Sequence, residues 1–365
     1  MWPLLLGTLT MLVFALPLLP SVIEWRRRRD THPLAIDGEH TLDVAAVAAG
    51  FRALAARHGD GNGLHAVAHP LDDLGPVVHV TGKFMPKAAE AFDGVCERAI
   101  VTGGSLVLPD LHTFSRPIYG RRSISTGRRN RTQVLLSEGE ILMRSGSELQ
   151  RWAHARSIHV EAKGRLLGPA SALYGIRLED ECEFTSVSAA VIWFGPRHAG
   201  VPFDMDAAAP AGGDWAHAVI VPPEARDGRW LVTHDLTFPA STLYRGDLVV
   251  HGDLWIGTGA RIIGSVKASG GIWLGTRVRI DGALIAAGAI SVARECVIAG
   301  PVAAEREIDV GARCTIGTAD KCTTLVAPVL RVCAGTVVYG AACAPEGGRV
   351  LSDGHAATPP CPGTP

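Results

Sequence analysis

Between Leu236 and Gly340 apolar residues return every 18 positions. One column holds Leu236, Leu254, Ile272, Ile290 and Ile308, and two residues later run Phe238, Ile256, Leu274, Val292 and Val310. Further columns are Thr242, Ala260, Val278, Cys296 and Cys314, then Tyr244, Ile262, Ile280, Ile298 and Ile316. Leu248, Val266, Leu284 and Val302 form another, with Val250, Ala268, Ala286 and Ala304 beside them. Inside each repeat apolar and polar residues alternate, as in Arg277-Val278-Arg279-Ile280-Asp281. Such a period of two places the columns on one side of short strands. A fixed repeat of this length marks a solenoid. Three strands of about six residues, joined by sharp corners, make one triangular coil, and coils stack about 4.8 Å apart. Gly246, Gly264, Gly282 and Gly300 recur where the chain turns or approaches itself closely. Each buried Ile, Leu or Val contributes roughly 1.5–3 kcal/mol, and only when a neighbouring coil covers it.

The same template returns in weaker form upstream. Ile141, Met143, Ser147 and Leu149 match it, as do Ile158, Val160, Gly164, Leu166 and Gly168, then Ile176, Leu178, Cys182, Phe184 and Ser186. Leu106 and Ile124 begin two earlier coils. Residues 77–195 therefore read as an irregular first β-solenoid segment and 236–343 as a regular one. Between them, 196–235 is rich in Pro, Gly and Ala and reads as a loop or insertion. After Thr318 the register slips by about four residues, and Leu330, Val332, Thr336, Val338 and Gly340 make one more coil. The tail, 344–365, carries Pro345, Pro359, Pro360, Pro362 and Pro365 and is expected to be disordered.

Ahead of the repeats, Trp2–Ile23 is an uncharged apolar run long enough to span a bilayer. Arg26, Arg27, Arg28 and Arg29 follow it, and no Lys or Arg precedes it. The positive-inside bias then keeps the Arg side, and the bulk of the chain, in the cytoplasm. Residues 1–24 are assigned as a single-pass anchor rather than a cleaved signal peptide, which needs basic residues ahead of its apolar run. Residues 25–76 form a juxtamembrane linker and a short helix, Thr41 to His58, with Val44, Val47, Phe51 and Leu54 on one stripe. The fold class is thus all-β, a triangular β-helix with an N-terminal transmembrane helix and one short α-helix.

Composition adds limits. The 365 residues are 47% hydrophobic but 6% aromatic, which suits a narrow core of small side chains. A formal net charge of −1 argues against nucleic acid as a partner. The eight cysteines form no CxxC pair, and Cys296 and Cys314 share one column as stacked core thiols. His65 and His69 are four apart but lack an acidic or Cys partner nearby, so no metal site is assigned. No phosphate loop, nucleophile elbow or zinc helix is present in the sequence, and the expectation is a non-enzyme without a cofactor. Arg116, Arg121, Arg122, Arg128, Arg129 and Arg131 form the densest basic run after the anchor, a candidate anionic-surface patch for lipid head groups. The alternative is a solvated rim of coil corners.

The run from Gly246 to Val302, GDLVVHGDLWIGTGARIIGSVKASGGIWLGTRVRIDGALIAAGAISVARECVIAGPV, resembles the bactofilins, the bacterial polymer-forming cytoskeletal proteins. The resemblance implies a triangular β-helix that polymerises end to end without nucleotide and scaffolds envelope or cell-wall machinery at the inner membrane. It supplies no catalytic residues. Ile256-Gly257-x-x-Ala260, Leu274-Gly275-x-x-Val278 and Val310-Gly311-x-x-Cys314 also resemble the hexapeptide repeats of left-handed β-helix acyltransferases, which need a His base. His251 and His234 are the nearest histidines, and both read as surface groups. A non-polymerising membrane adaptor is the third reading. An uncapped solenoid ends in open strand edges that template another copy. Leu330, Val332 and Val338 are expected to line such an end.

Overall fold

The computed structural model of the chain describes residues 48–50, 53, 77–80, 82–84, 94–196, 218–222, 225 and 228–352. Among these the chain is nearly all β, a solenoid of about 13 turns of about 18 residues. Helix occurs among them only at 48–50 and 53, within the segment expected to be helical. Trp2–Ile23, Arg26 to Arg29, His65, His69 and the chain beyond residue 352 lie outside the described residues. Among the described residues no helix is long and apolar enough to cross a membrane.

Every coil has three faces, each a ladder of parallel strands one coil apart. On the first arm, face one stacks Ala99–Thr102 on Ile118–Gly120, face two Ser105–Val107 on Ser123–Ser125, and face three Val95–Cys96 on Thr113–Phe114. On the second arm, Val266–Ala268, Arg261–Ile263 and Ile272–Leu274 are typical strands of the same three faces. The regular columns stack in register. Leu254, Ile272, Ile290 and Ile308 pair in sequence, as do Ile256, Leu274, Val292 and Val310, and Ile262, Ile280, Ile298 and Ile316. All twelve of these side chains are buried in one core. The glycine column marks close backbone approach: a Cβ on Gly264 would sit 2.2 Å from the Gly246 carbonyl oxygen. Carboxylates bridge coils at the next corner and at this one. Asp253 accepts the Gly271 N–H at 2.7 Å, and Asp247 accepts that of Ser265 at 2.8 Å.

Two element boundaries differ from the sequence expectation. The segment 196–235 contains the strands Ala218–Val219 and Arg229–Val232, which open the second arm by pairing with Thr242–Arg245 and Asp247–Val250. The tail expected from Ala344 begins inside a strand, Val337–Leu351, that closes it. Ala218 lies 24 residues before its partner Thr242 and Val337 lies 22 after Thr315, whereas Arg229–Val232 keeps the 18-residue spacing inside a segment rich in Pro, Gly and Ala. The register slip after Thr318 is real: Arg331 lies 22 residues after its coil neighbour Asp309, the excess being taken up around the Thr318–Lys321 bridge.

Candidate functional site

The surfaces that decide what a solenoid can do are its ends, and the order of this chain places them unexpectedly. The first arm runs coil by coil from Val77 to Phe194. The second starts at the far side, at Ala218, and runs back toward the first. Their last coils then stack on each other. Strand Glu183–Phe194 pairs antiparallel with Val337–Leu351 on all three faces: Phe184 opposite Gly348, Val187 opposite Ala342, Ile192 opposite Val338. On its other edge Val337–Leu351 pairs in parallel with the coil before it. The C-terminal coil is therefore in the middle of the rod, joined tail to tail.

This overturns the expectation that Leu330, Val332 and Val338 line a free end. All three have no exposed surface: Leu330 and Val332 lie one coil below the last, and Val338, within the last coil, is opposite Ile192 of the first arm. The joint is packed as a core. Phe184 and Phe194 lie 5.7 Å apart, and Gly348 makes room for them, since a Cβ there would fall 2.4 Å from the Phe184 ring. Backbone bonds cross it at both corners. Phe194 N–H donates to the Thr336 carbonyl at 3.0 Å, Gly335 N–H to that of Phe194 at 2.7 Å, and Val350 N–H to that of Cys182 at 2.9 Å. On face three the outer side of the joint is ionic. Arg165 bridges Glu148 and Glu183 at 3.1 and 2.9 Å, and Arg331 holds Asp309 at 2.6 Å. A depression of about 500 Å³ beside them is lined by Arg165, Glu183, Arg331, Glu346 and Arg349. Both signs of charge meet there, so it selects neither anions nor cations.

The outer ends of the rod are the first coils of the two arms. Among the described residues, Val77–His79, Gly82–Lys83 and Val95–Cys96 pair on one edge only, as do Ala218–Val219, Arg229–Val232 and Leu236–Phe238. Aromatics fill both. At the first end Phe84 meets Phe114 edge-on at 5.9 Å, with the Arg98 guanidinium over the Phe84 ring. At the second, Trp230 contacts Phe238 and Tyr244 at 6.5 and 5.7 Å. Burial, aided by the Asp247 charge, pushes the Tyr244 phenol above its usual range. Val219, Val221 and Leu231 stand exposed there. Sequence reasoning missed these residues because they lie in the segment assigned as a loop.

The basic run does not form one patch. Arg121 and Arg122 sit at the corner between faces one and two, Arg128 and Arg129 at the next corner, and Arg131 on face three. A coil is so short that neighbours in sequence point in different directions. Arg121 also lies 3.9 Å from Glu138. Asn130, between these arginines, is fully buried, donating to the Pro109 carbonyl and accepting the His112 N–H.

The core thiols are held by backbone carbonyls. Cys296 and Cys314 are buried, each donating to a carbonyl of the preceding coil, Gly275 and Ala293, at 3.1 Å. Burial, with the neighbouring Cys296, raises the Cys314 thiol well above its usual range, and burial pushes Cys182 up to about 12. Thiols so raised stay protonated and are poor nucleophiles at neutral pH. His234 and His251 are exposed, and His159 pairs with Glu179 at 2.8 Å. Among the described residues no group of three His, Cys, Asp or Glu is placed to hold a metal. No family model, no curated protein and no solved structure matches the chain.

Proposed function

We propose that the protein is a membrane-anchored scaffold resembling the bactofilins. It assembles by end-to-end stacking of its β-solenoid without nucleotide and organises envelope machinery from the cytoplasmic side of a bacterial inner membrane. The reading rests on one observation: the first coil of the second arm leaves its strand edges unpaired among the described residues and sets Val219, Val221 and Leu231 in solvent, 62, 82 and 50% exposed. Open edges and exposed apolar groups together favour another strand layer. The occupant is a second copy, because this sequence already stacks two coil ends antiparallel at its own joint. With both tails consumed internally, the contacts between copies are made by first coils, and the filament has no polarity. Anchoring rests on the apolar run Trp2–Ile23 and the four arginines after it.

Electron microscopy of the full-length chain in detergent or lipid tests this. Filaments that shorten when Val219 and Val221 are both replaced by Asp are the expected result. Single rods at every concentration and salt would sink it.

A further inference from the structure

The outer side of face one carries an apolar column along both arms. On the first arm it runs Val77, Ala99, Val134 and Trp152, beside Val101, Tyr119 and Leu136. Ala48, from the helical segment, is fully buried in this cluster. On the second arm the corresponding positions are Leu231, Val249, Lys267, Ile285, Ala303 and Val326, paired in register. Here the column is bare: Leu231 is 50%, Ile285 39% and Val326 36% exposed. One half of a continuous face carries the helical segment, packed on it at Ala48, and the other half has exposed apolar side chains.

The covering helix has an open side of its own. Ala49, Gly50 and Ala53 are exposed, and a Cβ added to Gly50 would meet nothing within 4 Å. These positions carry no charge and no bulk, so projecting side chains can approach the helix backbone closely. Leu231, Ile285 and Val326 are such side chains.

The joint sets the spacing between the two features. Leu136 is three coils from the joint, through His154, Ser171 and Ser188. Ile285 is also three coils from it, through Ala303, Val326 and Cys343. A twofold axis lying parallel to face one, between the two rods and across them at the level of the joint, therefore sets the helix of each copy over the Ile285 region of the other. The same operation brings Lys267 level with the partner's Tyr119, whose hydroxyl holds Glu138. A patch that maps onto its own complement under a twofold is what a closed dimer requires.

We propose that two copies pair side by side and antiparallel through face one, each helix packing against the open apolar column of the other rod. Lys267 and Glu138 fix the register with opposite charges, and Lys267 keeps the bare column from sticking indiscriminately. This contact is lateral, distinct from the end-to-end contact proposed above, and it does not depend on it.

The test uses the full-length chain in detergent, by electron microscopy and sedimentation. Rods of double width are expected. Ile285→Lys should give single-width rods with an unchanged melting temperature. Self-association should weaken about a hundredfold, tenfold (about 1.4 kcal/mol) for each of the two equivalent contacts. Leu111→Lys, at a more exposed apolar position away from face one, should leave pairing intact. Wild-type rods of single width overturn the proposal, as do Ile285→Lys rods that remain paired. Long single-width filaments would remove lateral pairing and leave end stacking standing. Short paired particles would do the reverse.

Discussion

Gly348→Ala is the sharpest probe of the joint. Gly348 does not lie in the left-handed region, so alanine meets no backbone penalty there. Its methyl group would instead fall 2.4, 2.5 and 2.7 Å from three carbons of the Phe184 ring. That ring is 1% exposed and is backed by Phe194, so it has no free direction of escape. Overpacking of this kind costs about 1–3 kcal/mol. At roughly 2 °C per kcal/mol for a chain of this size, the melting temperature should fall by about 2–6 °C. Phe184→Leu alone should also destabilise, by loss of packing, but the pair should cost less than the sum because the smaller side chain accepts the methyl. Gly104→Ala is the control, with nothing within 4 Å of the added carbon. It should be neutral or stabilise by a few tenths of a kcal/mol. Thermal melts and denaturant curves on the four proteins supply the cycle. A Gly348→Ala protein within about 0.5 kcal/mol of wild type, or strict additivity with Phe184→Leu, would mean the two last coils do not meet as described.

Other expected outcomes follow from the core and its charges. Ile290→Ala removes a fully buried side chain from the middle of a column and should cost about 2–5 kcal/mol in denaturant unfolding. Cys322 is exposed and should react at once with a thiol reagent, while Cys182, Cys296 and Cys314 should react only on unfolding. Because burial raises Cys182 to about 12 from 9.0, its thiol is neutral in the fold and ionises more readily in the unfolded chain. Its contribution is complete below pH 9 and is lost as pH rises toward 12, which a melting series with Cys182→Ala as reference would detect. Asp281 behaves oppositely: burial alone would raise it, but hydrogen bonds from Arg279 and Arg261 outweigh that and hold it below its usual 3.8. Its stabilisation is present above that value and disappears as pH falls further, so Asp281→Asn should flatten the acid limb of the stability curve.

The regular arm was legible because its repeat is strict: columns through Ile272, Ile290 and Ile308 require no gap, and a dry stack of identical layers demands it. The first arm was legible only in outline, since its strands bulge, as between Ala155 and Ser157, and each bulge blurs the period. One corner conformation was invisible. Arg129, Lys163, Arg277 and Arg313 all take a left-handed φ, at 55, 65, 57 and 57°, where glycine is the usual signal. The joint was invisible for a different reason. Ile192 and Val338 read as ordinary members of ordinary coils, and nothing in a single chain says which coil its last one will meet. The basic run left two readings open, a patch or a rim of corners, and the strand positions favour the rim for Arg121, Arg122, Arg128 and Arg129, because a triangular coil turns a corner every few residues.

Tail-to-tail closure also has a consequence for biosynthesis. The ribosome completes the first arm at Phe194, but the strand that seals it, Val337–Leu351, is translated only about 150 residues later. At about 5–20 residues per second, roughly 150 intervening residues leave that edge open for something like ten to thirty seconds. In that interval a nascent first arm can capture the finishing strand of a neighbour on the same messenger, so the spacing of ribosomes bears on whether each rod closes on itself.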